Sequence, residues 1–322
     1  MAHGLAEHWH IEAASLHYAP VGGGSYHWIV RDEPGGKWFA TVDDLDDKAW
    51  LGSTRAEASQ GLQSALTAAS QLRYDARLQF VVAPIPSLEG TPVVQVGARY
   101  TLAVFPYLEG STGRTMTEFT DMERNQVVDM LAALHQARPP TRVRQSQIEL
   151  PRRNVLDAAL GERDIPWHGG PFAESVRLLL SESATKLLDM LATFDRLAEK
   201  VAAAAERVIT HGEPHSGNIL RADSGLMLID WDTAALAPPE RDLWLLVTGK
   251  GAQMRRYAEA TGRPVDQSAL EFYRIRWALD DISSFAGQLR ASHQRTAHTE
   301  HIWRGLQIYL SDREPVSAPT AT

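Results

Sequence analysis

The chain has no cysteine in its 322 residues. That excludes a disulfide framework and any metal site built on thiolates. It also fits a reducing compartment, and a cytoplasmic location is expected. No apolar run approaches the roughly 20 residues that span a bilayer, so no membrane partner is expected. The opening stretch, MAHGLAEHWHIEAAS, lacks a basic n-region and a long apolar core, and is not expected to be a signal peptide. Basic residues are in deficit: 32 Lys and Arg stand against 40 Asp and Glu, a formal net charge of −8. Nucleic acid needs the opposite balance; an acidic surface suits a cationic small molecule, or by charge alone simply keeps a protein in solution. There is no G-x-S-x-G elbow, so an α/β-hydrolase would have no nucleophile.

What is present concentrates in Thr210–Asp242, THGEPHSGNILRADSGLMLIDWDTAALAPPERD. Val208 and Ile209 lead into a polar loop, and Ile219 and Leu220 leave it. Asp223-Ser224-Gly225 is turn chemistry, and Leu226–Ile229 is an apolar run of strand length with Asp230 at its end. A tight hairpin there brings Glu213, Asn218 and Asp230 together. Phosphoryl transfer needs metal ions on the phosphate oxygens, ligands for those ions, and an acceptor beside the attacking hydroxyl. Mg²⁺ takes oxygen ligands, usually one or two carboxylates, with water and phosphate completing the shell. Asn218 and Asp230 suit the metal, and Glu213 suits the hydroxyl proton. A zinc helix through His211 and His215 is excluded, because Gly212 and Pro214 lie between them and Pro breaks helix interiors.

HGEPHSGNIL followed by LIDWD resembles the catalytic loop and metal-binding strand of the aminoglycoside phosphotransferase family. Its members are relatives of choline and homoserine kinases with a protein-kinase-like fold. His211, Gly212, Asn218 and Asp230 match the family pattern, and Glu213 stands where the family has its catalytic Asp. The resemblance implies a catalytic loop of Glu213 with His211 and His215, the latter a hydrogen-bonding brace. It also implies metal ligation by Asn218 and Asp230, and a later Asp, here Asp242, that braces the loop.

The beginning of the chain reads as strand-rich. Leu16–Ala19, Tyr26–Arg31 and Lys37–Val42 are strands separated by Gly22-Gly23-Gly24-Ser25 and by a Pro34-Gly35-Gly36 turn. In a kinase the glycine loop covers the phosphates, since glycine lets backbone N–H groups approach oxygen. A third spaced glycine is missing, with His27 in its place, and the run also reads as a plain hairpin linker. A dinucleotide-binding fold is excluded, because the Pro34 turn leaves no room for its helix. Residues 54–73 form an amphipathic helix with a Thr54/Glu57 capping box. In the family, a lysine on the strand before this helix grips the phosphates and pairs with a helix Glu. Thr41 occupies that position here. Lys37 and Lys48 are nearby, and Lys48 could swing in from the following loop. Without a clear partner, Glu57 reads as a cap.

Phe80–Val82, Val93–Val96 and Tyr100–Phe105 are further expected strands. By the resemblance, Pro106, Tyr107 and Leu108 form the interlobe connector whose backbone meets the adenine. A helix capped by Thr120 and Glu123 runs to Pro139, and Leu150–His168 reads as loosely structured. Ser181–Glu206 and Ser268–Arg290 are helical, and Leu243–Val247 begins another helix. In the family, late helices line the substrate pocket with acids and aromatics. That implies substrate contacts from Trp277, Asp280 and Asp281, with Trp231, Asp232 and Glu240 nearer the loop.

The expected fold is α+β, protein-kinase-like with two lobes. Residues 1–106 form a small β-rich nucleotide-binding lobe, 107–313 a larger, mainly helical catalytic and substrate-binding lobe, and 314–322 a disordered tail. The expected activity is O-phosphorylation of a small, cationic hydroxyl compound, by the resemblance an antibiotic of aminoglycoside or aminocyclitol type (a resistance kinase), with ATP or GTP as donor and Mg²⁺ as cofactor. The alternatives are a kinase for choline, homoserine or a sugar, and a non-catalytic nucleotide-binding module.

Overall fold

After a short N-terminal helix, strand-forming residues with a two-residue period build the expected sheet. The computed structural model describes residues 1–203, 206–247 and 251–311. Helix α1 (Ala2–Trp9) leads into β1 (Ala13–Ala19), β2 (Ser25–Asp32) and β3 (Lys37–Asp44), then a 3-10 turn at Leu45–Asp47. Next come α2 (Arg55–Tyr74), β4 (Val94–Val96), β5 (Tyr100–Pro106), β6 (Gly110–Ser111) and α3 (Asp121–Gln136). Helices α4 (Arg153–Gly161), α5 (Ala173–Glu182) and α6 (Ala184–Ala202) precede four short strands: β7 (Val208–Thr210), β8 (Ile219–Ala222), β9 (Gly225–Leu228) and β10 (Ala235–Ala237). The chain continues through α7 (Glu240–Leu243), α8 (Ala252–Thr261), α9 (Gln267–Arg290) and α10 (Ala297–Leu310). This is the α+β architecture the residues imply: an antiparallel sheet followed by a helical region. No helix among the described residues is long and apolar enough to cross a membrane.

Two compact units divide the chain. The first joins Met1–Ser146 to Glu206–Val265, and the second joins residues 147–203 to 266–311 of the described chain. In the first, the five-stranded sheet has the order β1-β2-β3-β5-β4, every pair antiparallel. Strand side chains alternate between faces, and that alternation separates core from cavity. Val30, Ala40, Leu102 and Val104 point one way and pack with Leu5, Trp9 and Ile11 of the N-terminal segment. The Trp9 indole N–H donates to Ile85 O at 2.9 Å, tying that segment down. Residues of the opposite parity, among them Ser25, His27, Thr41, Asp43 and Phe105, line a cavity. In the second unit α9 is the central element, packed by α4, α5, α6 and α10. Phe194 of α6 stacks on Phe272 of α9 at 5.2 Å.

The expected helix starts at Thr54 and Thr120 are present as full capping boxes with Glu57 and Glu123. Other expectations are corrected. Phe80–Val82 is not a strand of the sheet; Val81 forms only an isolated bridge to Leu228, and Pro84 and Pro86 follow too closely to sustain a ladder. Leu150–His168 contains α4, which has no side-chain cap and buries Leu156, Ala159 and Leu160. Ser181–Glu206 is interrupted at Ser183, where α5 gives way to α6. Leu243 ends a short helix instead of beginning one. The tail at 314–322 lies outside the described residues.

Candidate active site

A cavity of about 380 Å³ opens in the first unit. Its roof is the cavity face of β2, β3 and β5, and its floor is the open end of the β8–β9 hairpin, with Asn218, Leu220, Ile229 and Asp230. Register explains the floor. Ile219 pairs with Leu228, and the next pair outward joins Asn218 O to the Ile229 N–H at 3.0 Å. Asn218 and Asp230 therefore sit at the same end of one hairpin, and both line the cavity.

The loop before β8 is held by its own polar atoms. Asp242 is fully buried and accepts the N–H groups of His211 at 2.8 Å and Gly212 at 2.6 Å. Its Oδ2 also lies 3.1 Å from His135 Nε2. Burial alone would raise the Asp242 carboxyl, but His135 outweighs it and holds it below the usual carboxylate range. This is the brace expected of Asp242. Gly212 sits at φ +104°, a backbone that needs glycine, and a Cβ there would also displace the Arg241 guanidinium. His211 is buried, with Nε2 2.9 Å from Ile229 O and Nδ1 accepting the Glu213 N–H at 3.2 Å. Both ring nitrogens are engaged, so His211 ties the loop to the strand that ends in Asp230. Burial lowers its pKa.

Asn218 donates its amide N–H to Glu213 O at 3.0 Å, with His215 Nε2 at 3.4 Å. The amide oxygen is the end left for a cation. Asp230 has φ +64°, a left-handed backbone that Asp tolerates better than most residues. Its accessible surface faces the cavity. The enclosing protein, then the Asp232 carboxylate, push its own carboxyl well above the usual range, with Glu213 and Asp43 adding to the effect. A hard divalent cation would relieve that crowding. Among the described residues no three His, Cys, Asp or Glu form a closed metal site. One carboxylate with one amide oxygen suits an ion that keeps its other positions for water and phosphate.

The remaining expected residues distribute as follows. Gly22, Gly23 and Ser25 line the cavity, as do Pro106, Tyr107 and Leu108, while Gly24 instead approaches Trp50. Thr41 lines it too, with its hydroxyl 3.1 Å from His27 Nδ1. Trp231 is buried and Asp232 half-buried, both on the cavity wall. Glu240 is buried at the start of α7 and is not part of that wall. Trp277, Asp280 and Asp281 belong to α9 of the second unit. There Asp280 pairs with Arg152 at 2.8 Å and Asp281 accepts from the Tyr309 hydroxyl at 2.6 Å. Burial pushes the Asp281 carboxyl up to about 6. Glu57 is spent on capping, accepting from Ser53 and Thr54.

Lys48, expected to be able to swing in from its loop, lines the cavity. Lys48 is buried at 2% exposure, with Nζ 2.9 Å from Asp43 Oδ1, 2.8 Å from Asp232 Oδ2 and 3.0 Å from Ser25 Oγ. Burial alone would lower its pKa, but Asp232 and Asp43 overcome this and keep the ammonium charged. Lys37 is engaged elsewhere, with Glu109 and over the Tyr107 ring.

Residues 18–281 match the sequence profile of the phosphotransferase enzyme family. The chain belongs to that family. Protein StrN of Streptomyces griseus is 28% identical over 317 residues, covering 94% of this chain and 88% of that protein. Among solved structures, spectinomycin phosphotransferase in complex with ADP and spectinomycin is similar with a TM-score of 0.76 at 18% identity, over 95% of this chain and 92% of that one. Choline kinase LicA from Streptococcus pneumoniae is similar at 0.53 and 15%, over 96% of each chain. At such identities the structures share a kinase-like fold, which the phosphotransferase described here also has.

His215 yields a prediction about stability. Burial, and then His211, push its imidazole down to about 4, against about 6.5 in an unfolded chain. Above pH 6.5 both states are neutral there. Between 6.5 and 4 the unfolded chain binds a proton that the folded one refuses, so stability falls with pH, by at most about 3 kcal/mol. Urea midpoints at pH 7 and pH 4.5 should drop less for His215→Gln than for the wild type. Equal drops would assign the loss to other groups.

Proposed function

We propose that this enzyme transfers the γ-phosphoryl group of ATP or GTP to a hydroxyl of a small, amine-bearing compound of aminoglycoside or aminocyclitol type. The observation that carries the reading is a single cavity lined by the glycine loop, by Pro106–Leu108 and by both Asn218 and Asp230. Residues 1–106 act as the nucleotide-binding lobe. Apolar side chains such as Ile29, Phe39, Leu66, Val82 and Phe105 line the cavity and suit a purine face. The backbone of Pro106–Leu108 meets its polar edge. Gly22 and Gly23 cover the phosphates, as backbone N–H groups do in such loops.

Asn218 and Asp230 hold Mg²⁺, which supplies charge neutralisation on the phosphate oxygens when bound. Glu213 orients the acceptor hydroxyl and takes its proton. The hydroxyl oxygen forms a bond to the γ-phosphorus, the bond to the bridging oxygen breaks, and the nucleoside diphosphate leaves with that electron pair. His211 and His215 keep the loop in place. Residues 107–313 carry the acceptor, with Trp231, Asp232 and Glu240 near the loop and Trp277, Asp280 and Asp281 supplying aromatic and acidic contacts to ammonium groups. The net charge of −8 favours the approach of such a cation. The similarity to a phosphotransferase whose complex holds ADP and spectinomycin supports this acceptor class, and a cytoplasmic reaction fits an ATP or GTP donor.

Thermal shift with MgATP, MgGTP and a panel of aminocyclitols and metabolites, followed by mass spectrometry of the panel, tests the reading. Stabilisation by a nucleotide and a phosphorylated aminocyclitol are expected. A phosphorylated choline, homoserine or sugar would assign a metabolite kinase. Nucleotide binding with no phosphorylated product from any compound would assign a non-catalytic module.

A further inference from the structure

The strand position that would carry a phosphate-gripping lysine holds Thr41, and its space is already used. His27 stacks on Phe39 with ring centroids 5.1 Å apart and reaches the Thr41 hydroxyl at 3.1 Å. Burial lowers the pKa of this imidazole, so the pair brings no cation. Among the described residues lining the cavity, Asp43, Asp230 and Asp232 are acidic and Lys48 is the one ammonium or guanidinium. A bound polyphosphate adds more negative charge to that wall, so it needs this cation.

The route by which Lys48 reaches the cavity is built into the chain. Asp44 ends β3 and caps the 3-10 turn by accepting the Asp46 N–H at 3.1 Å. The turn folds the chain back, and Lys48 lies over the cavity face of the strand it has just left. Arg144 holds the next loop residues, donating from Nη1 to Trp50 O at 2.8 Å. Below the ammonium, Ser25 and Asp43 face each other in the β2–β3 register, and the serine hydroxyl donates to Asp43 Oδ1 at 2.6 Å. Asp43 is a fixed counter-ion on the sheet. Asp232 comes instead from the loop after β9.

Resting on the nucleotide reading above, we infer that Lys48 is the cation that holds the donor's phosphate chain, with Asp43 as its permanent partner and Asp232 as the partner it releases to the phosphate. An ammonium has three N–H donors, and Ser25, Asp43 and Asp232 occupy all three. A phosphate oxygen enters only by displacing one acceptor. Ser25 and Asp43 are bonded to each other and fixed by the ladder, so Asp232 leaves. The strand-lysine and helix-glutamate pair is thus replaced by a turn lysine and a strand aspartate. Phosphate arrival also frees a carboxylate beside Asp230.

Calorimetric titration of the full chain with adenosine, metal-free ATP and MgATP tests this in Lys48→Met and Asp232→Asn. A charge-assisted hydrogen bond contributes about 1.5–3 kcal/mol, so Lys48→Met should bind MgATP roughly 10- to 100-fold more weakly and adenosine as the wild type does. Asp232→Asn leaves the buried Lys48–Asp43 pair intact, removes the competing charge, and should bind metal-free ATP severalfold more tightly. If Lys48→Met does not fold, Asp232→Asn decides alone. Unchanged MgATP affinity in Lys48→Met, or no tightening in Asp232→Asn, overturns the inference while wild-type nucleotide binding stands. A wild type that binds neither adenosine nor MgATP overturns the nucleotide reading and this one with it.

Discussion

Asp230→Ala is expected to lower turnover by about a thousandfold or more and to abolish the magnesium dependence of nucleotide binding. The carboxylate is one of two side chains at the hairpin end suited to a hard cation, and the other, Asn218, carries no charge. Stabilising phosphoryl charge through such an ion amounts to several kcal/mol, and each 1.36 kcal/mol is tenfold in rate. Removing the crowded carboxyl also relieves its repulsion with Asp232, so the folded state should not suffer from the lost charge. The backbone is the confounding factor, because Asp230 is left-handed at φ +64° and alanine is strained there by roughly 1–2 kcal/mol. Asp230→Asn separates the two effects: asparagine tolerates that conformation and keeps the shape. Both variants should lose activity, and only the alanine should lose thermal stability. Retained magnesium-dependent binding in Asp230→Asn would remove Asp230 from the metal role.

Glu213→Ala should reduce turnover by about 10²–10⁴-fold, the usual contribution of a positioned base, and leave nucleotide affinity unchanged. Glu213 is placed by backbone atoms: its N–H donates to His211 Nδ1 and its carbonyl accepts from Asn218. Those bonds survive truncation of the side chain, so the loop and the Asn218 amide should stay where they are. The family pattern carries Asp at this position, and the extra methylene of Glu moves the carboxylate. A displacement of about 1 Å can lower a rate by roughly 100-fold. Glu213→Asp, which moves the carboxylate by the same methylene, is therefore expected to lower turnover as well. Steady-state kinetics with an unmodified acceptor that the wild type phosphorylates check both. Turnover unchanged in Glu213→Ala would move the base to another group.

The parts legible in the sequence are those governed by short-range rules. Alternation over Ser25–Asp32 and Lys37–Asp44 sets the sheet faces, and with them which side chains meet the cavity. The Thr54/Glu57 and Thr120/Glu123 boxes mark helix starts through local hydrogen bonds. Asp223-Ser224-Gly225 closes a hairpin of fixed register, which brings Asn218 and Asp230 to one end. The parts that escape depend on distant partners. Helix α1 carries a glycine and no side-chain cap; it is held because Leu5 and Trp9 are buried against the sheet. Helix α4 likewise lacks a cap, and its apolar face packs on α9, which begins more than a hundred residues later. Phe80–Val82 has strand composition, but its neighbour is the β9 strand, and only a single bridge forms. Lys48 was visible as a loop lysine able to swing in, without a partner assigned to it. Its role depends on a turn that reverses β3 and on Asp232, 184 residues away, and no local pattern encodes that pairing.

The phosphotransferase reading rests on Asn218 and Asp230 sharing one ion on the donor's phosphates. A crystal grown with a non-hydrolysable ATP analogue and manganese tests this directly, because anomalous scattering locates the metal without reference to the protein. The expected result is a peak within about 2.0–2.3 Å of both the Asn218 amide oxygen and an Asp230 carboxylate oxygen, with phosphate oxygens completing the shell. A nucleotide bound elsewhere, or a metal held by neither residue, would contradict the account.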